Sequence, residues 1–223
     1  MANVLLGVTG SVASIRTPEL LDQFTGSGHS VKVIATHASL YFFDPTETVF
    51  SPLSDGTRNP DIVILDEDEW PGMANGRRWQ RKEPVLHIEL RRWADIFVVA
   101  PIDANTLAKV AYGLADNCLT CVWRAWDRTR PVVVAPAMNT HMWDHPATIR
   151  HLRQLAQDAG MSRLGDTRDA LELIHRINES EGLVRIVPPV SKRLACDDIG
   201  MGAMNTVEVI VNTVTQVLNE QLS

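Results

Sequence analysis

Two segments, Ile96 to Ile102 and Val132 to Met138, are almost unbroken apolar runs, and each carries an Ala-Pro pair. They are the length of strands and far short of the ~20 residues that a membrane-spanning helix needs. A strand exposed on one face alternates apolar with polar residues; an unbroken run means that both faces are covered, as in a parallel sheet between two layers of helices. Asp95 to Ala100 and Pro131 to Ala135 therefore read as central strands. Val4 to Val8, Val31 to Ala35 and Val184 to Val187 have the same β-branched character, and a further strand is expected at Asp61 to Leu65.

Helical spacing falls between these strands. Leu20, Leu21 and Phe24 mark a helix from Pro18 to Phe24, with Thr17 placed to cap it and Pro18 suited to its first position. Leu86 to Trp93 and Leu107 to about Trp126 are further candidates, the second with a break near Gly113. Val207, Ile210, Val211, Val214, Val217, Leu218 and Leu222 predict a terminal helix packed on the sheet. The alternation specifies an α/β fold, a doubly wound parallel sheet with helices on both faces, as one domain over residues 1–223.

Charge narrows the partners. The chain has 21 Lys and Arg against 27 Asp and Glu, a net charge of -6, and its basic clusters do not exceed the Arg77-Arg78 and Arg91-Arg92 pairs. Nucleic acid and anionic membranes are thus poor partners. Three cysteines fit a reducing compartment, and Met1 to Gly7 carries no basic leader, so a cytoplasmic location is expected. Residues 44–82, rich in proline, read as mostly loop, with Asp66-Glu67-Asp68-Glu69 as a solvated acidic surface.

In open parallel sheets ligands bind beyond the carboxyl ends of the strands. Polar groups collect there. Gly7 to Ser14 follows the first strand and precedes the first helix, where backbone N–H groups favour a phosphate. The loop has neither the dinucleotide glycine pattern nor a Walker lysine, so a mononucleotide fits it better. Thr36 to Ser39 add hydroxyls at the same edge, and Asn105-Thr106 and Asn139-Thr140 follow the two Ala-Pro pairs. Either amide-hydroxyl pair alone is better explained as the start of a helix, but the two together with the glycine loop favour a ligand site. Cys118-x-x-Cys121 reads as core packing, and His141, Asp144 and His145 lack a metal-site spacing. On spacing alone His87 is an interior or capping histidine. Cys196 lies in a glycine-containing stretch beside Lys192 and Arg193, the composition of a flap that closes over a substrate and meets its phosphate.

Pro136-Ala137-Met138-Asn139-Thr140-His141-Met142-Trp143, together with Leu86 to Leu90, Ala104 to Lys109 and the Cys196 segment, resembles the homo-oligomeric flavin-containing cysteine decarboxylases, which include the plant and yeast halotolerance proteins. The likeness runs over nearly the whole chain. It implies a flavodoxin-like, Rossmann-like fold assembled as a homotrimer, with FMN held near a subunit interface. By this resemblance Gly10, Ser11 and Val12 contact FMN on the phosphate side, Thr36 and Ser39 make a second contact, Ala104, Asn105 and Thr106 a third, and Ala137 lies against the flavin. His87 is the essential histidine, Asn139 binds substrate, Arg193, Ala195 and Met204 belong to the substrate flap at 188–205, and Cys196 is the proton donor.

The implied reaction is FMN-dependent decarboxylation of 4'-phospho-N-pantothenoyl-L-cysteine to 4'-phosphopantetheine in coenzyme A synthesis. Oxidation of the thiol-bearing carbon creates an electron sink, carbon dioxide leaves, and the enethiol is reduced again. Two other activities are weighed: a flavoprotein that inhibits a protein phosphatase, disfavoured because no long acidic tail is present, and decarboxylation of peptide cysteines, less suited to Lys192-Arg193. The sequence departs from the usual pattern at Asp103, Asp197 and Asn205-Thr206-Val207, and an aspartate at 103 is unfavourable to a neighbouring phosphate unless it points away. Residues 161–183 form an apparent insertion in which Ala170, Leu173, Ile174 and Ile177 predict an extra amphipathic helix.

Overall fold

The computed structural model describes residues 1–51, 56–161, 164–180, 182–193 and 199–221. Strands β1 (Asn3–Val8), β2 (Ser30–Ala35), β3 (Val63–Ile64), β4 (Ile96–Ile102), β5 (Val132–Pro136) and β6 (Val184–Ile186) form one sheet in the order β3-β2-β1-β4-β5-β6. Every neighbouring pair is parallel. Without the two-residue edge strand β3, the order is that of a flavodoxin-like sheet, and its direction of winding reverses between β1 and β4.

Alternate residues of each strand serve two cores, as the pleat requires. Val4, Leu6 and Val8 of β1 join Leu20, Leu21 and Phe24 of α1 (Thr17–Gly26) on one face, while Leu5 points to the other. The opposite face is covered by α2 (Leu86–Trp93), α3 (Ala104–Tyr112) and α4 (Cys118–Ala125). Beyond β5 come α5 (Thr140–Trp143), α6 (Pro146–Asp158) and α7 (Ala170–Asn178). The chain ends on α8 (Val207–Glu220), whose Val207, Ile210, Val211, Val214 and Val217 are buried on the α1 side, as their spacing predicts.

Helix α4 sits close on the sheet. A Cβ on Gly7 would lie 2.9 Å from Leu119 Cδ1, so any larger residue there forces the layers apart. In the expected insertion, α7 buries Leu173, Ile174 and Ile177 and packs on α6 and β6 of the same chain. Asn178 locks it there, donating from Nδ2 to Ile186 O at 2.8 Å and accepting Ile186 N–H on Oδ1 at 2.8 Å.

Two local expectations need correction, and one is met. Thr17 is not the cap of α1; its hydroxyl donates to Ser14 O at 2.6 Å and closes a 3-10 turn at Val12–Arg16 that leads into the helix. The periodic stretch from Leu107 to Trp126 breaks near Gly113 as expected and forms two helices, because Gly113 stops α3 in the left-handed region (φ +71) and Asn117 starts α4 with a capping box to Thr120. The acidic run is not a solvated surface: Glu69 is only 4% exposed, Asp68 pairs with Arg58, and Asp66 accepts the Cys118 N–H at 3.0 Å.

Candidate functional site

Loops after β1, β2 and β4 meet at the carboxyl edge of the sheet. Thr9 is buried and couples two of them, donating through Oγ1 to Pro101 O at 2.9 Å and accepting the Asp103 N–H at 2.8 Å. Gly10 is pressed against the loop after β2; a Cβ on it would stand 2.7 Å from the Ala38 Cβ. Ser11 caps the following 3-10 turn, accepting the Ala13 N–H. Val12 is exposed on that turn. Thr36 and Ser39 are both buried: Ser39 Oγ donates to Thr36 O at 2.7 Å, whereas Thr36 Oγ1 is enclosed without a hydrogen-bond partner. An enclosed hydroxyl without a partner costs free energy, and a ligand oxygen offered at that position removes the cost.

Asp103 uses its carboxylate as the N-cap of α3, accepting the Thr106 N–H on Oδ1 at 2.7 Å. Its other oxygen lies 3.4 Å from where a Gly10 Cβ would be, so the carboxylate stays beside the glycine loop while one oxygen is held by its own helix. Ala104 and Thr106 line the first turn of α3, with Thr106 buried and Asn105 exposed at its tip. The expected phosphate-side residues are therefore gathered in one cradle of backbone and hydroxyl groups.

A second cluster follows β5. Ala137 is buried and its N–H donates to Ile102 O at 3.0 Å, which ties this loop to the end of β4. Asn139 caps α5 by accepting the His141 N–H on Oδ1 at 2.8 Å. This bond identifies Oδ1 as the acceptor end of the amide and Nδ2 as the donor end. Strands β7 (Val190–Arg193) and β8 (Ile199–Ala203) form an antiparallel hairpin laid over this loop. Met138 N–H donates to Gly202 O at 2.9 Å, and a Cβ on Gly200 would lie 2.5 Å from Thr140 Oγ1. Thr140 Oγ1 is itself buried without a partner beneath the hairpin.

Gly202 is required here. It has φ +127, and a Cβ would meet Met138 O at 2.4 Å. Gly202→Ala is expected to destabilise the protein by about 2 kcal/mol and lower Tm by roughly 5 °C; calorimetry giving an unchanged Tm would contradict this close approach.

The base of the hairpin is tied by residues where the sequence departs from the usual pattern. Asn205 donates from Nδ2 to Pro188 O at 2.9 Å, and Thr206 caps α8 through the Val209 N–H. Met204, half-buried beside them, packs against the α1-side core. Arg193 ends β7, while Ala195 and Cys196, the expected flap residue and proton donor, lie outside the described residues.

His87 occupies the first turn of α2 and has a partner that the sequence did not reveal. Glu69, at the end of the acidic turn after β3, places Oε1 2.5 Å from His87 Nδ1. Its Oε2 accepts the His87 backbone N–H at 3.2 Å. The buried Cys118 thiol, at the start of α4, is influenced by the charge of this carboxylate. Burial, reinforced by the charge of Glu69, pushes that thiol well above its ordinary range, so it stays protonated. Asp66 is raised as well, chiefly by burial. His87 is thus neither a simple core residue nor a simple cap.

Polar loops gathered at the switch point of a flavodoxin-like sheet define a ligand-binding class of α/β protein. The flavoprotein family model matches residues 1–219, and the chain belongs to that family. Within it the relatives are specific. Phosphopantothenoylcysteine decarboxylase of Mus musculus is 42% identical over 219 residues, covering 97% of this chain and 87% of the relative, and that of Arabidopsis thaliana is 44% identical over 214 residues, covering 95% and 82%. Among solved structures, a cysteine-to-serine PPC decarboxylase mutant complexed with pantothenoylaminoethenethiol is similar at TM-score 0.74 and 40% identity, covering 98% of both chains. The FMN binding protein AtHal3 matches at TM-score 0.71 and 40% identity, covering 98% of this chain and 97% of that one. No helix among the described residues is long and apolar enough to cross a membrane.

Proposed function

We propose that the chain is an FMN-dependent decarboxylase that converts 4'-phospho-N-pantothenoyl-L-cysteine into 4'-phosphopantetheine. One observation carries the reading: a phosphate cradle containing the unpartnered Thr36 hydroxyl and a hairpin-covered Asn139 loop occupy the same carboxyl edge of the sheet. The relatives' names and the bound enethiol in one of their structures support the substrate class. The phosphatase-binding alternative gains no support from them.

Gly10, Ser11, Val12, Thr36 and Ser39 hold the phosphate end of FMN, Ala104, Asn105 and Thr106 flank it, and Ala137 backs the ring. When bound, FMN supplies the reversible two-electron acceptor that turns the thiol-bearing carbon into an electron sink for loss of carbon dioxide. His87 takes the substrate thiol proton on Nε2, and Asn139 Nδ2 donates to the carboxylate and orients the bond that breaks. Arg193, Ala195 and Met204 bind substrate at the flap, and the charges of Lys192 and Arg193 suit its phosphate. Cys196 returns a proton to carbon from its thiol.

The enzyme acts in the cytoplasm as a homotrimer. Val12 and Ile15, 45% and 56% exposed beside the cradle, supply apolar surface for a neighbouring subunit. Sedimentation velocity at the mass of three chains supports the trimer, and a monomer refutes it.

The absorption spectrum and carbon dioxide release from the purified protein test the whole reading: a yellow chromophore and turnover of the named substrate are expected, and an FMN-loaded protein without turnover overturns it. The cradle has its own test. Gly10→Ala brings a methyl group into contact with Ala38, and fluorescence titration should show FMN affinity lowered by about tenfold, the equivalent of a modest overpacking cost. Unchanged affinity removes Gly10 from the cradle.

A further inference from the structure

The acidic turn at Asp66–Glu69 is built as a platform for one carboxylate. Asp68 is fixed by a bidentate pair with Arg58, at 2.7 and 2.8 Å, and accepts the Leu65 N–H at 2.8 Å. Asp66 is fixed by the N-terminus of α4. Between these anchors and the start of α2, Glu69 is almost wholly enclosed, with 2% of its side chain exposed. A lone enclosed carboxylate is costly, and here it is matched by two donors, His87 Nδ1 and the His87 backbone N–H. Both belong to one residue, so the carboxylate grips both the ring and the backbone of His87 and restricts its rotation.

The chemistry of the pair sets the tautomer. An ionised carboxylate only accepts hydrogen bonds, so Nδ1 must carry a proton and, in the neutral ring, Nε2 carries the lone pair. We propose that Glu69 is the positioning residue for His87, holding the imidazole in the Nδ1–H tautomer and in one orientation so that Nε2 is the atom that exchanges protons with substrate. This rests on the reading of His87 given above, but the tautomer itself does not.

The test has two independent readouts. In nitrogen-15 NMR of histidine-labelled protein without substrate, His87 should show a protonated Nδ1 and an unprotonated Nε2; the reverse tautomer overturns the proposal. In FMN-loaded enzyme, Glu69→Gln should lower kcat by ~10²-fold with KM within about twofold, because orientation and acid-base assistance are lost while binding is kept. Glu69→Asp, which retains the charge, should recover about tenfold of that loss. A Glu69→Gln enzyme with wild-type kcat overturns the proposal, as does a variant impaired only in thermal stability. Should Glu69→Gln fail to fold, the wild-type NMR spectrum decides alone. Wild-type protein that shows the expected tautomer but no turnover refutes the decarboxylase reading and leaves the Glu69–His87 arrangement standing.

Discussion

His87→Asn is expected to lower carbon dioxide release by ~10²- to 10⁴-fold, the range associated with loss of a positioned general acid or base. Asparagine is the informative replacement because its Nδ2 can still donate to Glu69. Removing the side-chain donor would leave the enclosed carboxylate with only the backbone N–H of residue 87, and the resulting loss of stability would obscure the chemistry. FMN should remain bound, since the cradle at Gly10, Thr36 and Ser39 is built from loops after β1 and β2. The expected combination is a yellow protein, near-native in its melting curve, that does not release carbon dioxide. Full turnover would take His87 out of the mechanism, and loss of flavin would place it in the cofactor site instead.

The sheet was legible in the sequence because its central strands are covered on both faces, and burial of that kind leaves uninterrupted apolar runs such as Ile96 to Ile102. The carboxyl-edge loops were legible for a related reason: a parallel strand order fixes which ends of the strands collect polar residues. Helix α6 was not read, although Leu152, Leu155 and Ala156 are buried, because its stripe is interrupted by arginines and a histidine and its cap is His145, which accepts the Ala147 N–H on Nδ1 at 3.2 Å. A histidine cap is an uncommon signal and is easily taken for a ligand candidate. The β7-β8 hairpin also lacked a pattern, since it packs on the Met138–Thr140 loop and not on the sheet, and so has no regular apolar face.

Glu69 shows a harder limit. The three residues before it are also acids, and of the four only Glu67 is exposed. Nothing local separates the enclosed carboxylate from the solvated one. The distinction is made by α2 and α4, elements that arrive 18 residues later for His87 and 52 residues later for the Cys118–Asp66 bond. Once the parallel topology brings the amino ends of both helices to the edge beyond β3, unsatisfied helix N–H groups select the acids that fill them.

Cys196→Ser should separate the two halves of the proposed reaction. Decarboxylation precedes the proton return, so carbon dioxide release should persist at close to the wild-type rate for at least a first turnover. Formation of 4'-phosphopantetheine should fall by ~10²-fold or more, and the enethiol should accumulate on the enzyme. The physical reason is acidity: a thiol ionises near ~8.5, whereas an aliphatic hydroxyl holds its proton far more tightly, so serine is a far poorer proton donor of nearly the same shape. The relative crystallised as a cysteine-to-serine mutant with pantothenoylaminoethenethiol bound is consistent with such an arrest. Mass spectrometry of the quenched reaction distinguishes the enethiol from the saturated product by two hydrogens. Normal phosphopantetheine output would exclude Cys196 as the donor, and loss of carbon dioxide release would move it to an earlier step, alongside His87.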